Sequence, residues 1–203
     1  MVDFFSQVKY LCPFREGIVM SKVVVSVLGK DRPGIVCKVS SVMARYGCNI
    51  EDISQTVLQG EFGGMFVVSL PQGLSQGELS SILEKDLRPE GLQVMCKPLE
   101  GEGPGEKQIN VEPFVVVSIG RDRVGLIAAI SCIMYSYGVN ITNLKFINRT
   151  SAFPDKTITI YEVDVPEEVR LAEFVESLRK KAQELELDIT VQHKRIFEET
   201  CRI

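Results

Sequence analysis

Residues 29–50 return ninety-one positions later, as residues 120–141, with no gap in the superposition. The overlay pairs Gly29 with Gly120, Asp31 with Asp122, Arg32 with Arg123 and Gly34 with Gly125. It goes on to pair Met43 with Met134, Tyr46 with Tyr137, Gly47 with Gly138 and Asn49 with Asn140. Self-similarity at one domain-sized offset marks a duplicated domain, not a solenoid. Whatever fold one half adopts, the other must adopt too. A chain of 203 residues holds two such domains of about 100 residues each.

Within the first copy, residues 22–28 are rich in valine and end at Gly29, the pattern of a buried strand. From Pro33 the period becomes helical. Ile35, Val36, Val39, Val42, Met43 and Tyr46 form one apolar stripe, with Asp31 available as a cap, Pro33 in the first turn and Gly47 as the stop. This pattern predicts a helix of about 14 residues. Residues 49–58 and 65–70 then read as two strands around a glycine-rich turn at 59–64. Ser75 and Glu78 have capping-box spacing, and Leu79, Ile82, Leu83 and Leu87 supply the apolar face of a second helix. Residues 91–97 give a last strand. The order βαββαβ, with right-handed crossovers, specifies a ferredoxin-like α+β domain: a four-stranded antiparallel sheet with two helices on one face.

The second copy repeats the order, with a stripe of Leu126, Ile127, Ile130, Ile133, Met134 and Tyr137. Pro71 and Pro166 stand ninety-five apart instead of ninety-one, so a longer loop is expected at 149–156. Glu167 and Glu168 are expected to open the last helix and Arg179, Lys180 and Lys181 to close it. The expected organisation is an N-terminal arm (1–21), a first domain (22–98), a polar linker (99–112) and a second domain (113–203).

Composition removes several function classes. A net charge of -4 without a basic block offers no footprint for nucleic acid, so direct nucleic-acid binding is not expected. Six cysteines lack C-x-x-C spacing, and Cys37 and Cys132 in the helical runs read as small buried hydrophobes in a reducing compartment. No apolar run reaches the length of a membrane span. The first 21 residues lack a signal-peptide core, so the expected location is cytoplasmic, an organellar address remaining open. His193, the single histidine, continues the alternation of the last strand, and Glu162 and Asp164 alternate with apolar residues as a solvated face. The spacing Gly29 to Gly34 is that of a phosphate loop, but Ile35 and Val36 stand where Lys and Ser/Thr are needed. No metal, cofactor or catalytic residue is expected.

Gly34 and Gly125 fall in what the pattern makes a helical first turn, where glycine costs up to about 1 kcal/mol against alanine. Two explanations stand. Either the backbone packs closely against the sheet, or a ligand approaches the exposed N–H groups of the helix start.

Residues 29–34, the helix after them and 46–50 together resemble the signature of the ACT domain, a small amino-acid-binding regulatory module. Residues 120–125 and 137–141 resemble a second one, with Val124 where the first copy has Pro33. A tandem pair with nothing catalytic attached is similar to the glycine cleavage system transcriptional repressor family. The resemblance implies ligand contacts at Asp31, Gly34, Ile35 and Asn49, and at Asp122, Gly125, Leu126 and Asn140. Backbone N–H groups would hold a carboxylate, and Asn would contact both ends of a zwitterion from across a domain or subunit boundary. Asp31 and Asp122 would cap the helices or serve the ammonium group, capping being the commoner use. The resemblance further implies a small amino acid as ligand, a regulated protein partner, a homodimer, and halves packed through sheets or edge strands. The alternatives are a regulatory subunit of a metabolic enzyme complex and a structural assembly domain.

Overall fold

The computed structural model describes residues 21–99, 110–150 and 153–200, so the expected N-terminal arm and most of the linker lie outside the described residues. The chain divides into two compact units with the break after Gly105. In the first, β1 (Lys22–Lys30), α1 (Ile35–Arg45), β2 (Asn49–Leu58), β3 (Glu61–Ser69), α2 (Gln76–Leu87) and β4 (Gln93–Pro98) follow in chain order. The sheet runs β2-β3-β1-β4, antiparallel throughout. Alternation along β1 buries Val23, Val25 and Val27, which with Phe62, Phe66 and Val68 of β3 form the floor of the core. Ile35, Val39, Val42 and Met43 of α1 and Leu79, Leu83 and Leu87 of α2 close it, so both helices cover one face. An isolated helix of 11 residues is marginal in water, whereas burying one large aliphatic side chain contributes about 1.5–3 kcal/mol. Packing therefore holds α1 helical. At α2 the sequence sets the boundary locally: Ser75 caps the Glu78 N–H, and the Glu78 carboxylate accepts the Ser75 N–H at 2.8 Å.

The second unit repeats the plan with β5 (Val111–Gly120), α3 (Leu126–Ser136), β6 (Asn140–Thr150), β7 (Phe153–Pro166), α4 (Leu171–Glu184) and β8 (Asp188–His193), ordered β6-β7-β5-β8. Phe114, Val116, Ile130, Met134, Tyr161, Phe174 and Leu178 make its core. Burial pushes the Tyr161 phenol up to about 12.

Several expectations need correction. The first hairpin turns on Gln59 and Gly60 alone, both at positive φ (50° and 83°), a two-residue turn matched to strand twist. Gly63 and Gly64 belong to β3, and Gly64 is there because a Cβ would stand 2.8 Å from the Phe62 ring and 3.1 Å from that of Phe66. The extra residues of the second hairpin lengthen its ladder, which reaches Thr150 paired with Phe153, instead of making a long loop. That ladder shifts register between Asn148 and Thr150. β5 begins at Val111, inside the expected linker, and α4 begins at Leu171, after Glu167 has donated its N–H to the Asn110 carbonyl at 3.1 Å. Cys37 and Cys132 are exposed, because each sits two residues beyond a buried Ile35 or Ile130 and so on the opposite side of its helix. A final helix, α5 (Lys194–Thr200), has no counterpart among the described residues of the first copy. Its Lys194 pairs at 2.6 Å with Glu162, which also accepts from Asn143 at 2.9 Å, so this carboxylate is half-buried and held below its ordinary range. His193 is structural, edge-on to Phe114 at 5.3 Å and accepting the Arg195 N–H through Nδ1 at 3.3 Å.

Candidate functional site

At the start of α1, Gly34 is the residue before the helix, not within its first turn, and it holds φ 94° and ψ -1°. Gly125 does the same before α3, at φ 91° and ψ 0°. L-residues pay heavily for this left-handed geometry, which is why glycine stands at both positions. Close packing is not the reason, since a Cβ on either glycine would meet nothing within 4 Å. The crowded glycines are the earlier pair. A Cβ on Gly29 would lie 2.7 Å from Leu92 Cδ2 and 3.0 Å from the Gly91 carbonyl, and Gly120 is pressed in the same way by Leu187 and the Glu186 carbonyl.

No side chain caps either helix. The expected capping role of Asp31 and Asp122 is therefore corrected: the chain enters α1 and α3 through a left-handed glycine, which leaves the aspartates three residues upstream and exposed. Asp31 instead donates its N–H to the Gly60 carbonyl at 2.8 Å, tying the loop to the first hairpin tip. The first intrahelical bonds are Lys38 N–H to Gly34 O and Ala129 N–H to Gly125 O, each 2.9 Å. The N–H groups of residues 35–37 and 126–128 precede these bonds and point out of the helix start, where the peptide dipoles sum to a partial positive charge. Ile35 and Leu126 are buried, so each offers this region its backbone N–H and not its side chain.

Each loop is fixed by an ion pair that joins it to the turn before the last strand of its unit. Arg32 donates to the Glu90 carboxylate at 3.0 Å and to the Glu90 carbonyl at 2.9 Å, while Lys38 reaches the other carboxylate oxygen at 3.0 Å. Lys38 foremost, with Arg32, holds the Glu90 carboxyl below its ordinary range. In the second unit Arg123 pairs with Glu186, and Ala129 stands in the place of Lys38. Exposed pairs of this kind add little stability; their effect is positional. The sequence carries their signal, an Arg repeated in both loops and an acid shortly before each last strand, but contacts 58 and 63 residues apart have no local pattern.

Asn49 and Asn140 do not join these loops within a unit. Asn49 pairs with Ser69, opposite Lys22, whereas Asp31 follows Lys30. Eight residues of strand separate the two ends, about 26 Å. Asn140 pairs with Asp164, opposite Pro113, about 23 Å of strand from Gly120. A shallow concavity among Glu112, Phe114, Val165, Pro166, Glu167, Val169 and Leu171 lies at that far end of the second sheet, away from the Gly125 loop. Among the described residues no group of three or more His, Cys, Asp and Glu could hold a metal, and no helix is long and apolar enough to cross a membrane.

Comparison with known proteins agrees with this architecture. The family model of the ACT domain matches residues 21–97. A UPF0237 protein of Methanopyrus kandleri is 46% identical over 79 residues, which is 38% of this chain and 88% of the relative. An unknown protein from Galdieria sulphuraria superposes with a TM-score of 0.71 at 24% identity, covering 86% of this chain and 98% of that one. A protein described as a putative glycine cleavage system transcriptional repressor superposes at 0.59 with 17% identity, over 86% and 98% of the two chains. At these identities the last two likenesses are of fold.

Proposed function

Because the chain belongs to the ACT-domain family, we propose that it is a regulatory protein that senses a small amino acid and passes the signal to a protein partner. One observation carries this reading. Both units present an uncapped helix start behind a left-handed glycine, with open space where a side chain would be. A ligand carboxylate would accept N–H groups of residues 35–37 or 126–128, where the helix dipole favours an anion. Asp31 or Asp122, freed from capping, would face the ammonium group, and Asn49 or Asn140 would come from a neighbouring domain or subunit. The protein performs no chemistry of its own in this reading; occupancy changes its association with the partner, as a homodimer and without contacting nucleic acid. The exposed thiols of Cys37 and Cys132 suit a reducing, cytoplasmic setting.

A thermal-shift screen of the free amino acids tests the proposal. One or a few should stabilise the chain, by about 2.7 kcal/mol when present at a hundred times the dissociation constant. If none does, the pair of domains is an assembly module with vestigial loops.

A further inference from the structure

The helices of the first unit cover one face of its sheet and leave the other bare. Val23, Val25 and Val27 of β1 point under the helices, so Val24, Ser26 and Leu28 point the opposite way. Strand pairing sets Met65 of β3 and Met95 of β4 on either side of Ser26, with Leu28 in the next row. Leu28, Met65 and Met95 are 58%, 56% and 62% exposed, three adjoining large apolar side chains on one open face. Contiguous apolar surface of this kind marks a place where something docks, whereas single exposed apolar residues do not.

The second unit shows how such a face is closed. Val115 holds the place of Val24, ninety-one positions on, and is only 2% exposed. There α5, which follows the last strand, turns back onto β5, and its Lys194 pairs with Glu162, the residue directly opposite Val115. The first unit has no such helix among the described residues, and Val24 stays half-buried. It has instead residues 1–20, which join the sheet at the end nearest Val24. The Ser21 carbonyl accepts the Leu70 N–H at 3.0 Å and the Lys22 carbonyl accepts the Leu99 N–H at 2.8 Å, so the chain arrives in the middle of the sheet, between β3 and β4.

We propose that the N-terminal segment of the chain folds back onto this open face of its own first unit, setting its aromatic rings against Leu28, Met65 and Met95. The two surfaces are complementary. Phe4, Phe5, Tyr10 and Phe14 place four of the chain's aromatic residues, which number 10 Phe and 5 Tyr, within the first 14 positions. The open face offers two thioethers, whose sulfur makes favourable contacts at ring edges and whose unbranched chains adapt to a ring laid on them. The reach is sufficient. Leu28 lies seven residues of strand from Ser21, about 23 Å, and the segment from Phe4 to Glu16 can extend to about 43 Å, with Gly17 to reverse the chain before it. Charge does not oppose the contact. Asp3, Lys9, Arg15 and Glu16 sum to zero, and the row of Val24 and Val67 ends in Lys97 on one side and Asp52 on the other. The proposal is separate from the amino-acid reading, whose groups lie at the helix starts.

Methyl NMR of the full chain labelled at methionine tests it, with the Met65 and Met95 signals assigned through Met65→Leu and Met95→Leu. Both methyl groups should show nuclear Overhauser contacts to aromatic ring protons and should be shielded from a soluble paramagnetic probe. In the full chain carrying Phe4→Ser, Phe5→Ser, Tyr10→Ser and Phe14→Ser, the contacts should vanish and the probe should act severalfold more strongly on both methyls, while circular dichroism stays unchanged. Equal accessibility in the two chains would overturn the proposal, as would contacts from Met65 or Met95 to the second unit's Ile158 or Ile160. The third contrary result is recovery of the wild-type methyl signals when the labelled variant is mixed with unlabelled wild-type chain, since the face would then take the segment of a second copy.

Discussion

Replacing Gly34 with alanine isolates backbone geometry from every other effect at the site. The residue holds φ 94°, and its new methyl group would meet nothing within 4 Å, so neither collision nor new packing enters. What remains is the left-handed conformation, which costs an L-residue about 1–2 kcal/mol. The usual gain from stiffening the unfolded chain does not offset it, because that gain requires a native φ the new residue can adopt. For a unit of this size each kcal/mol lowers the melting temperature by about 4–8 °C, so Gly34→Ala should lower the first unit's transition by about 4–16 °C. Gly34→Asn should lose less, since asparagine enters this region more readily. Gly29 offers the opposite mechanism. There the penalty is collision with Leu92 and the Gly91 carbonyl, about 1–3 kcal/mol of overpacking for Gly29→Ala, and the larger side chain of Gly29→Asn should cost more. Thermal unfolding followed by circular dichroism compares the four variants. Wild-type stability in Gly34→Ala, or an asparagine at 34 worse than alanine, would refute the reasoning.

Three further outcomes follow from single contacts. Ser75→Ala removes the capping box of α2 and should lower unfolding stability by about 1 kcal/mol in urea titrations. Gly64→Ala should destabilise by about 1–3 kcal/mol through the Phe62 and Phe66 rings, whereas Gly63→Ala, whose Cβ would sit 3.5 Å from Leu28, should be tolerated. The Glu90 carboxyl should titrate below the ordinary carboxylate value in an NMR pH series, returning to it in Lys38→Ala/Arg32→Ala. Because its folded value is lowered, its contribution to stability is present above the unfolded value and disappears as pH falls through the folded one.

Much of the fold is written in periodicity. The stripe through Ile35, Val39, Val42 and Met43, the capping box at Ser75 and the duplication itself are local signals, and each half folds as they direct. What periodicity misses, it misses for identifiable reasons. A glycine at the head of a helical pattern reads alike whether it is the first helical residue or the left-handed residue before it, and only φ separates the two at Gly34. The composition of residues 59–64 does not reveal which of them turn. Gln59 and Gly60 do, while Gly63 and Gly64 lie within β3, where Gly64 answers to the packing of two phenylalanine rings. The second hairpin's extra residues could equally have made a loop or a longer ladder, and strand pairing decides for the ladder. The ion pairs Arg32 to Glu90 and Arg123 to Glu186 depend on tertiary approach and have no signature at short range. The same holds for the about 26 Å of strand between the Asn49 end of the first sheet and the end that carries the Gly34 loop, which the strand register alone reveals.

Isothermal titration of the stabilising amino acid into the wild-type chain and into Gly34→Asp, Gly125→Asp and the double variant bears most directly on the proposed sensor function. An aspartate at either position sets a side chain and a negative charge against the N–H groups that would receive the ligand carboxylate. The left-handed φ at each glycine adds a stability cost that the sequence does not foretell, so circular dichroism must show each variant folded at the titration temperature. The expected result is binding to the wild-type chain, loss of one site in each single variant and of all binding in the double variant. Unchanged affinity and stoichiometry in a folded double variant would contradict it, leaving Gly34 and Gly125 as residues of backbone geometry alone.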